Sequence, residues 1–205
     1  MRARAHQRAP LLILAVLVAV PLSGVAGPSP GRKLDARALY GYGPFEEAKE
    51  SQLESIGEYR ATGRIVKLAA PAAQAFLEMQ AEALRDGVVL VPVSGFRENG
   101  RQAVLFRRAV RKHGSQRKAA RWVAPPGFSH HEAGVAIDLG DESSPQCDVR
   151  RCFRQTRAYR WLTENAKRFS FGLNRPRNSG SRPPREPWHW RFVEPAGLDL
   201  SSTLD

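Results

Sequence analysis

Two segments of the chain concentrate residues that can do chemistry: SHHEAGVAID (129–138) and EPWHWRF (186–192). They supply His131, Asp138 and His189, and a second carboxylate, Glu186. Two imidazoles and one carboxylate are the donor set with which a catalytic zinc site holds its ion and keeps a fourth position open. If residues 135–139 are extended, alternation puts Ala136 and Asp138 on one face, and Ala136 is small enough to leave room beside a metal. His131 lies seven residues before Asp138, so a turn must intervene, and Gly134 can supply it. Glu186 lies three residues before His189, with Pro187 available to set a bend that lets both side chains converge. A carboxylate there can take a proton from a water that attacks a carbonyl. Each residue alone has an ordinary reading: a core or surface histidine, a cap after a strand, a solvated charge. Together they point to metal-assisted hydrolysis. His130 adjoins His131, but the spacing to Gly134, Ala136 and Asp138 selects His131 as the ligand.

The elements that must carry these residues follow from periodicity. Residues 51–70 hold one short strand around Arg64–Leu68. Pro71–Asp86 reads as an amphipathic helix, with proline in the first turn, Phe76, Met79 and Ala83 inward, and Gly87 at the stop. VVLVPVSG (88–95) is a buried strand that Pro92 places at an edge or a bulge. A second helix over Asn99–Lys112 turns Val104, Leu105 and Ala109 inward and leaves Arg101, Arg107, Arg108 and Arg111 in solvent. Residues 113–128 read as loop, with His113 exposed. Val135–Leu139 is a short strand, and Thr156–Arg168 a third helix with Trp161, Leu162, Ala166 and Phe169 at core spacing. A Pro/Arg/Ser-rich loop (175–185) leads to a last strand, Trp188–Val193, in which Trp188 and Trp190 face away from His189, into the core or, as the alternative, as a wall on which sugar or peptide stacks. The expected class is α+β, with a small, largely antiparallel sheet flanked by helices.

The 205 residues suffice for one well-buried domain, and 42% hydrophobic with 25% charged residues is ordinary globular composition. The first 26 residues differ: Arg2, Arg4 and Arg8 precede an apolar run from Leu11 to Val20, then Pro21, Ser23 and Gly24. That order of basic, apolar and small residues is a secretory signal, with cleavage expected after Ala26 or, as the alternative, retention as an anchor. The run is shorter than the roughly 20 residues of a membrane span, so no stable span is expected after cleavage. Export implies an oxidising compartment, where the close pair Cys147 and Cys152 in CDVRRC is expected to form a structural disulfide, with free thiols as the alternative. The net charge is +12, or +9 without the three signal arginines. Export argues against nucleic acid as the partner of that charge. Anionic wall polymers or lipid headgroups fit it, as does a merely solvated basic surface. The organisation expected is a signal peptide (1–26), a Pro/Gly-rich linker (27–50) and a catalytic domain (51–205), acting as a monomer.

The two segments resemble the signatures of the VanY-type D-Ala-D-Ala carboxypeptidases, S-x-H-x-x-G-x-A-x-D and E-x-W-H. Every fixed position is present: Ser129, His131, Gly134, Ala136 and Asp138, then Glu186, Trp188 and His189. Upstream, SGFRENGRQ is similar to the family's S-G-[YF]-R segment with a glutamine five residues after the arginine. The resemblance spans roughly residues 68–193 and extends to the wider lysostaphin-like and hedgehog-like group that shares this zinc geometry. It implies a hedgehog/D,D-peptidase-like fold with the metal in a cleft on the sheet. It implies that His131, Asp138 and His189 bind Zn2+, that Glu186 is the catalytic base, and that Arg97, with Gln102 and Ser129, contacts substrate. The implied substrate is the peptidoglycan stem peptide. A guanidinium offers the two-pronged hydrogen bond that a free peptide carboxylate accepts. The expected activity is D,D-carboxypeptidase, with L,D-carboxypeptidase or endopeptidase action on the same zinc site as alternatives, and a non-catalytic wall-binding domain as a third reading. The 141–155 segment and the 175–185 loop depart from the family pattern and bear on substrate preference.

Overall fold

The computed structural model describes residues 44–173 and 186–193, all within the unit Asp35–Asp205. The expected signal, most of the linker and the 175–185 loop lie outside the described residues. The strands are β1 (Leu53–Tyr59), β2 (Arg64–Ala69), β3 (Leu90–Ser94), β4 (Ala136–Asp141), β5 (Phe171–Leu173) and β6 (His189–Phe192). The helices are α1 (Ala70–Arg85), α2 (Asn99–His113), α3 (Gln116–Ala119) and α4 (Arg157–Asn165). β1 and β2 form a hairpin, and the other four strands form a sheet in the order β3-β4-β6-β5. Every ladder is antiparallel. The class is α+β, as expected.

Helix α1 begins with Pro71 in its first turn, where a missing N–H leaves no hydrogen bond unmade. It buries Ala72, Ala73, Phe76, Met79 and Ala83 along one stripe. That stripe packs on Val66, Leu68, Leu90, Ile137, Leu139, Trp161, Leu162, Phe171 and Trp190, forming the main core. Phe76 is fully enclosed, so truncating it to alanine would cost about 3–5 kcal/mol. Pro92 satisfies both expectations for it: β3 is an edge strand, and its register shifts between Pro92 and Ser94. The Val93 carbonyl in that irregularity accepts a hydrogen bond from Arg64 Nη2 at 2.8 Å.

Several expectations need correction. Residues 51–70 hold two strands rather than one, because the polar segment 53–59 pairs with β2. The inward stripe of α2 is Gln102, Phe106 and Ala109, not Val104 and Leu105, which are half-buried. Gln102 wins the inner position because Ala124 O accepts its amide N–H at 2.7 Å and its oxygen serves Arg97. His113 is half-buried and stacks on Trp122 with centroids 5.6 Å apart. The loop expected over 113–128 contains α3. The third helix is α-helical only to Asn165 and continues as a 3-10 turn over Ala166–Phe169. Thr156 caps it by accepting the Tyr159 N–H. Cys147 and Cys152 are joined in a disulfide with Cα atoms 5.3 Å apart. Between them, Asp148 reaches the β1–β2 hairpin through Arg60 Nη2 at 2.9 Å.

Candidate metal centre

β4 and β6 lie side by side, with Asp138 opposite His189 and Ala136 opposite Arg191. Ser94 of β3 is the partner of Asp138 on its other side. The side chains of Asp138 and His189 stand on one face of the sheet, while Ile137, Leu139, Trp190 and Phe192 enter the core on the other. Trp188 packs partly buried against the same core, so both tryptophans face as alternation requires.

His131 arrives from the loop before β4, and a dense set of backbone bonds fixes that loop. Arg97 N–H donates to His131 O at 3.0 Å, Gly134 N–H to the same carbonyl at 3.2 Å, and Ala69 N–H to Gly134 O at 2.9 Å. Gly134 has φ of +68°, and a Cβ there would lie 2.8 Å from Ala69 N, so this turn admits glycine alone without strain. Gly95 is needed for a different reason: a Cβ would sit 2.2 Å from Lys67 O. That close approach aims the Gly95 carbonyl at His131 Nδ1, 2.7 Å away. His131 therefore carries its proton on Nδ1 and presents Nε2 as a lone pair.

Three donor atoms converge. His131 Nε2 lies 3.2 Å from His189 Nδ1; Asp138 Oδ1 lies 3.0 Å from His189 Nδ1 and 3.5 Å from His131 Nε2. All three residues are buried, with ligand atoms within 4.8 Å of one another. Two imidazole nitrogens and one carboxylate oxygen, one tautomer fixed from behind, fit a zinc ion. Burial opposes ionisation of Asp138, but the His131 and His189 imidazoles outweigh it and hold the carboxyl well below its usual range. Burial pushes His131 down. For His189 burial also acts downward, but its bond to Asp138 wins and raises it.

The other expected residues connect to these three. Arg97 donates to Gln102 Oε1 at 3.0 Å and to Ser94 Oγ at 3.3 Å, with Nη2 3.8 Å from Asp138 Oδ2. Burial lowers the Arg97 pKa, and Asp138 and Glu186 oppose that shift. Glu186 is exposed, and its charge acts on both Arg97 and His189. Ser129 is buried, and its hydroxyl accepts the His131 N–H at 3.4 Å. His130 is turned aside: its Nε2 faces Arg191 Nη1 at 3.3 Å, and burial first, then His189 and Arg191, push its pKa down to about 3.

Two contributors escaped sequence reasoning. Ser94 supports Arg97, and its place just before Gly95 and Arg97 in one motif was the available signal. Glu132 is fully buried, and its carboxylate accepts the N–H groups of Gly127 at 2.9 Å and Ser129 at 2.8 Å. Its backbone carbonyl accepts the Ala48 N–H at 2.8 Å. A charged residue inside a tight glycine-bounded loop was a signal that it binds the loop to itself.

A family model of VanY, D-alanyl-D-alanine carboxypeptidase, matches residues 65–195, and the chain belongs to that family. The YodJ protein of Bacillus subtilis (strain 168), named as a carboxypeptidase, is 36% identical over 124 residues, covering 60% of this chain and 45% of that protein. The chain spans about half the length of the curated relatives it matches. Among solved structures, the LdcB LD-carboxypeptidase is similar at 32% identity and TM-score 0.62, covering 71% of this chain and 70% of that one. VanYB in complex with D-alanine-D-alanine is similar at 25% identity and TM-score 0.55, covering 74% and 82%. The fold and the family agree with the resemblance read from the motifs.

Proposed function

We propose that the protein is an exported zinc D,D-carboxypeptidase that removes the terminal D-Ala from peptidoglycan stem peptides. The observation that carries this reading is Arg97, whose guanidinium stands 3.8 Å from the ligand carboxylate of Asp138. A carboxypeptidase must hold the free C-terminal carboxylate beside the scissile bond, and a desolvated carboxylate needs compensating hydrogen bonds, which a guanidinium supplies together with opposite charge. Gln102, itself anchored on Ala124 O, keeps the guanidinium in place. His131, Asp138 and His189 hold the ion. Zinc, when bound, supplies the Lewis acid that polarises the scissile carbonyl and acidifies water. Glu186 takes the proton as water adds to the carbonyl carbon, then delivers it to the leaving amine as the C–N bond breaks. The products are the shortened stem peptide, ending in a new carboxylate, and free D-Ala. A base has no place in a purely structural metal site, so Glu186 speaks against a non-catalytic wall-binding role.

The likeness to the LdcB LD-carboxypeptidase, at 32% identity, favours one second reading: L,D-carboxypeptidase action on the same centre. Digestion of purified muropeptides with zinc-loaded protein, read by mass spectrometry, separates the two. Pentapeptide shortened to tetrapeptide is the expected result, and a preference for tetrapeptide substrates would move the assignment to L,D. A C-terminally amidated pentapeptide should be cut poorly. Arg97→Ala should reduce kcat/KM on the free acid by about 10- to 100-fold but lose little more on the amide. Equal cleavage of free and amidated peptides by the unmodified protein would replace the carboxypeptidase with an endopeptidase.

A further inference from the structure

A second arginine stands on the site face of the sheet. Asp138 opposite His189 and Ala136 opposite Arg191 are successive same-face pairs of β4 and β6, and Gly172 of β5 flanks Arg191 from the other side. Arg191 therefore lies two residues along the strand from the ligand row, about 7 Å away. Its two lateral neighbours, alanine and glycine, have the smallest side chains available. A Cβ built on Gly172 would meet none of the described residues within 4 Å, so none of them covers the β5 side of Arg191.

Among the described residues the guanidinium is held but not neutralised. One Nη1–H points to His130 Nε2 at 3.3 Å, and the His130 ring is in turn packed on Phe45, centroids 4.7 Å apart. An imidazole carries no negative charge in either protonation state, so this bond orients Arg191 and cancels none of its charge. Among the described residues no carboxylate pairs with Arg191. The remaining donors of the fork are suited to an external carboxylate.

Arg97 is anchored at the β3 end of the ligand row, whereas Arg191 lies two residues along β6 from His189. Arg97 is bonded to Ser94 of β3, whereas Arg191 is on β6 beside β5, and the strand order is β3-β4-β6-β5. With a C-terminal carboxylate on Arg97 and the scissile carbonyl at the ligand row, the upstream peptide leaves across β6, past Arg191. An extended peptide advances about 3.3–3.6 Å per residue, so one or two residues cover the offset between the rows. We propose that Arg191 is a specificity-determining residue that binds a side-chain carboxylate carried one or two residues before the scissile bond. The direction of the chain in this argument rests on the carboxypeptidase reading.

Binding, rather than turnover, tests it. The probes are X-D-Ala-D-Ala and X-D-Ala, in which X is diaminopimelate with its side-chain carboxylate either free or amidated. Zinc-loaded Glu186→Gln protein should bind the free acid of at least one pair about tenfold or more tighter than its amide. Arg191→Gln in the same background should bring that ratio near one, and Arg191→Lys should leave part of it. Equal binding of acid and amide in both pairs, or a ratio that survives Arg191→Gln at unchanged zinc content, overturns the assignment. If Arg191→Gln loses its metal or fold, the lysine variant decides: a lower ratio than the parent's supports the role, and an undiminished one overturns it. Failure of the unmodified protein to release D-Ala would strike the carboxypeptidase reading alone, because the acid-to-amide ratio is read without turnover.

Discussion

Strand β4 carries two buried aspartates, Asp138 and Asp141, and they solve the same problem in different ways. Burial disfavours the charge of each, yet each is held below the usual carboxylate range. Asp138 is compensated by the imidazoles of His131 and His189, brought from a loop and from β6. Asp141 is compensated by Ser143 Oγ–H at 2.6 Å, Ser143 N–H at 2.8 Å and Ala158 N–H at 2.8 Å. An odd spacing along a strand puts the two carboxylates on opposite faces. One faces the centre, and the other receives the first turn of α4. A lowered pKa is thus shared by the candidate ligand and a structural anchor, and does not tell them apart. The kind of neighbour does. Around Asp141 the partners are N–H and O–H donors that consume its lone pairs. Around Asp138 they are ring nitrogens, which can donate a proton to the carboxylate or give up that proton and join it around a cation.

The sharpest contrast comes from removing each carboxylate in turn. Asp138→Ala should abolish both the binding of about one zinc per chain and turnover, measured by elemental analysis and by D-Ala release. Full zinc content in that variant would remove Asp138 from the ligand set and dissolve the distinction. Glu186→Gln breaks the chemistry without the metal: zinc should stay, and kcat should fall by about 10²- to 10⁴-fold. Near-normal turnover there would take the proton-transfer role from Glu186. Asp141→Asn should have the smallest effect, with zinc and turnover retained and stability lowered by about 1–3 kcal/mol at neutral pH. Because the folded Asp141 pKa is depressed, its stabilisation is complete above the unfolded value near 3.9 and drains away as pH falls toward the folded value. The gap in unfolding midpoint between the parent and Asp141→Asn should therefore narrow below about pH 4. A gap that is constant with pH would mean that the ionised form of Asp141 contributes nothing.

The order and spacing of His131, Asp138 and His189 make the candidate metal centre legible in the amino-acid sequence alone. The choice of His131 over His130 is legible there too. Alternation in β4 and β6 and the apolar stripe of α1 depend on residues close in the chain, and local periodicity reports those faithfully. The turn at Gly134 also follows from local chemistry, since few residues accept its positive φ. Other features depend on partners far away in sequence, and tertiary structure alone decided them. The polar β1 became a strand because β2 offered it a ladder. Gln102 displaced its apolar neighbours from the inner face of α2 because Ala124 and Arg97 supplied the bonds that make a buried amide tolerable. The tautomer of His131 was set by a carbonyl from Gly95, 36 positions earlier in the chain. Sequence neighbours are always in contact, so their pattern can be read directly. A hydrogen-bond partner brought in by folding exists only once the chain has paid the entropy of closing the loop between them.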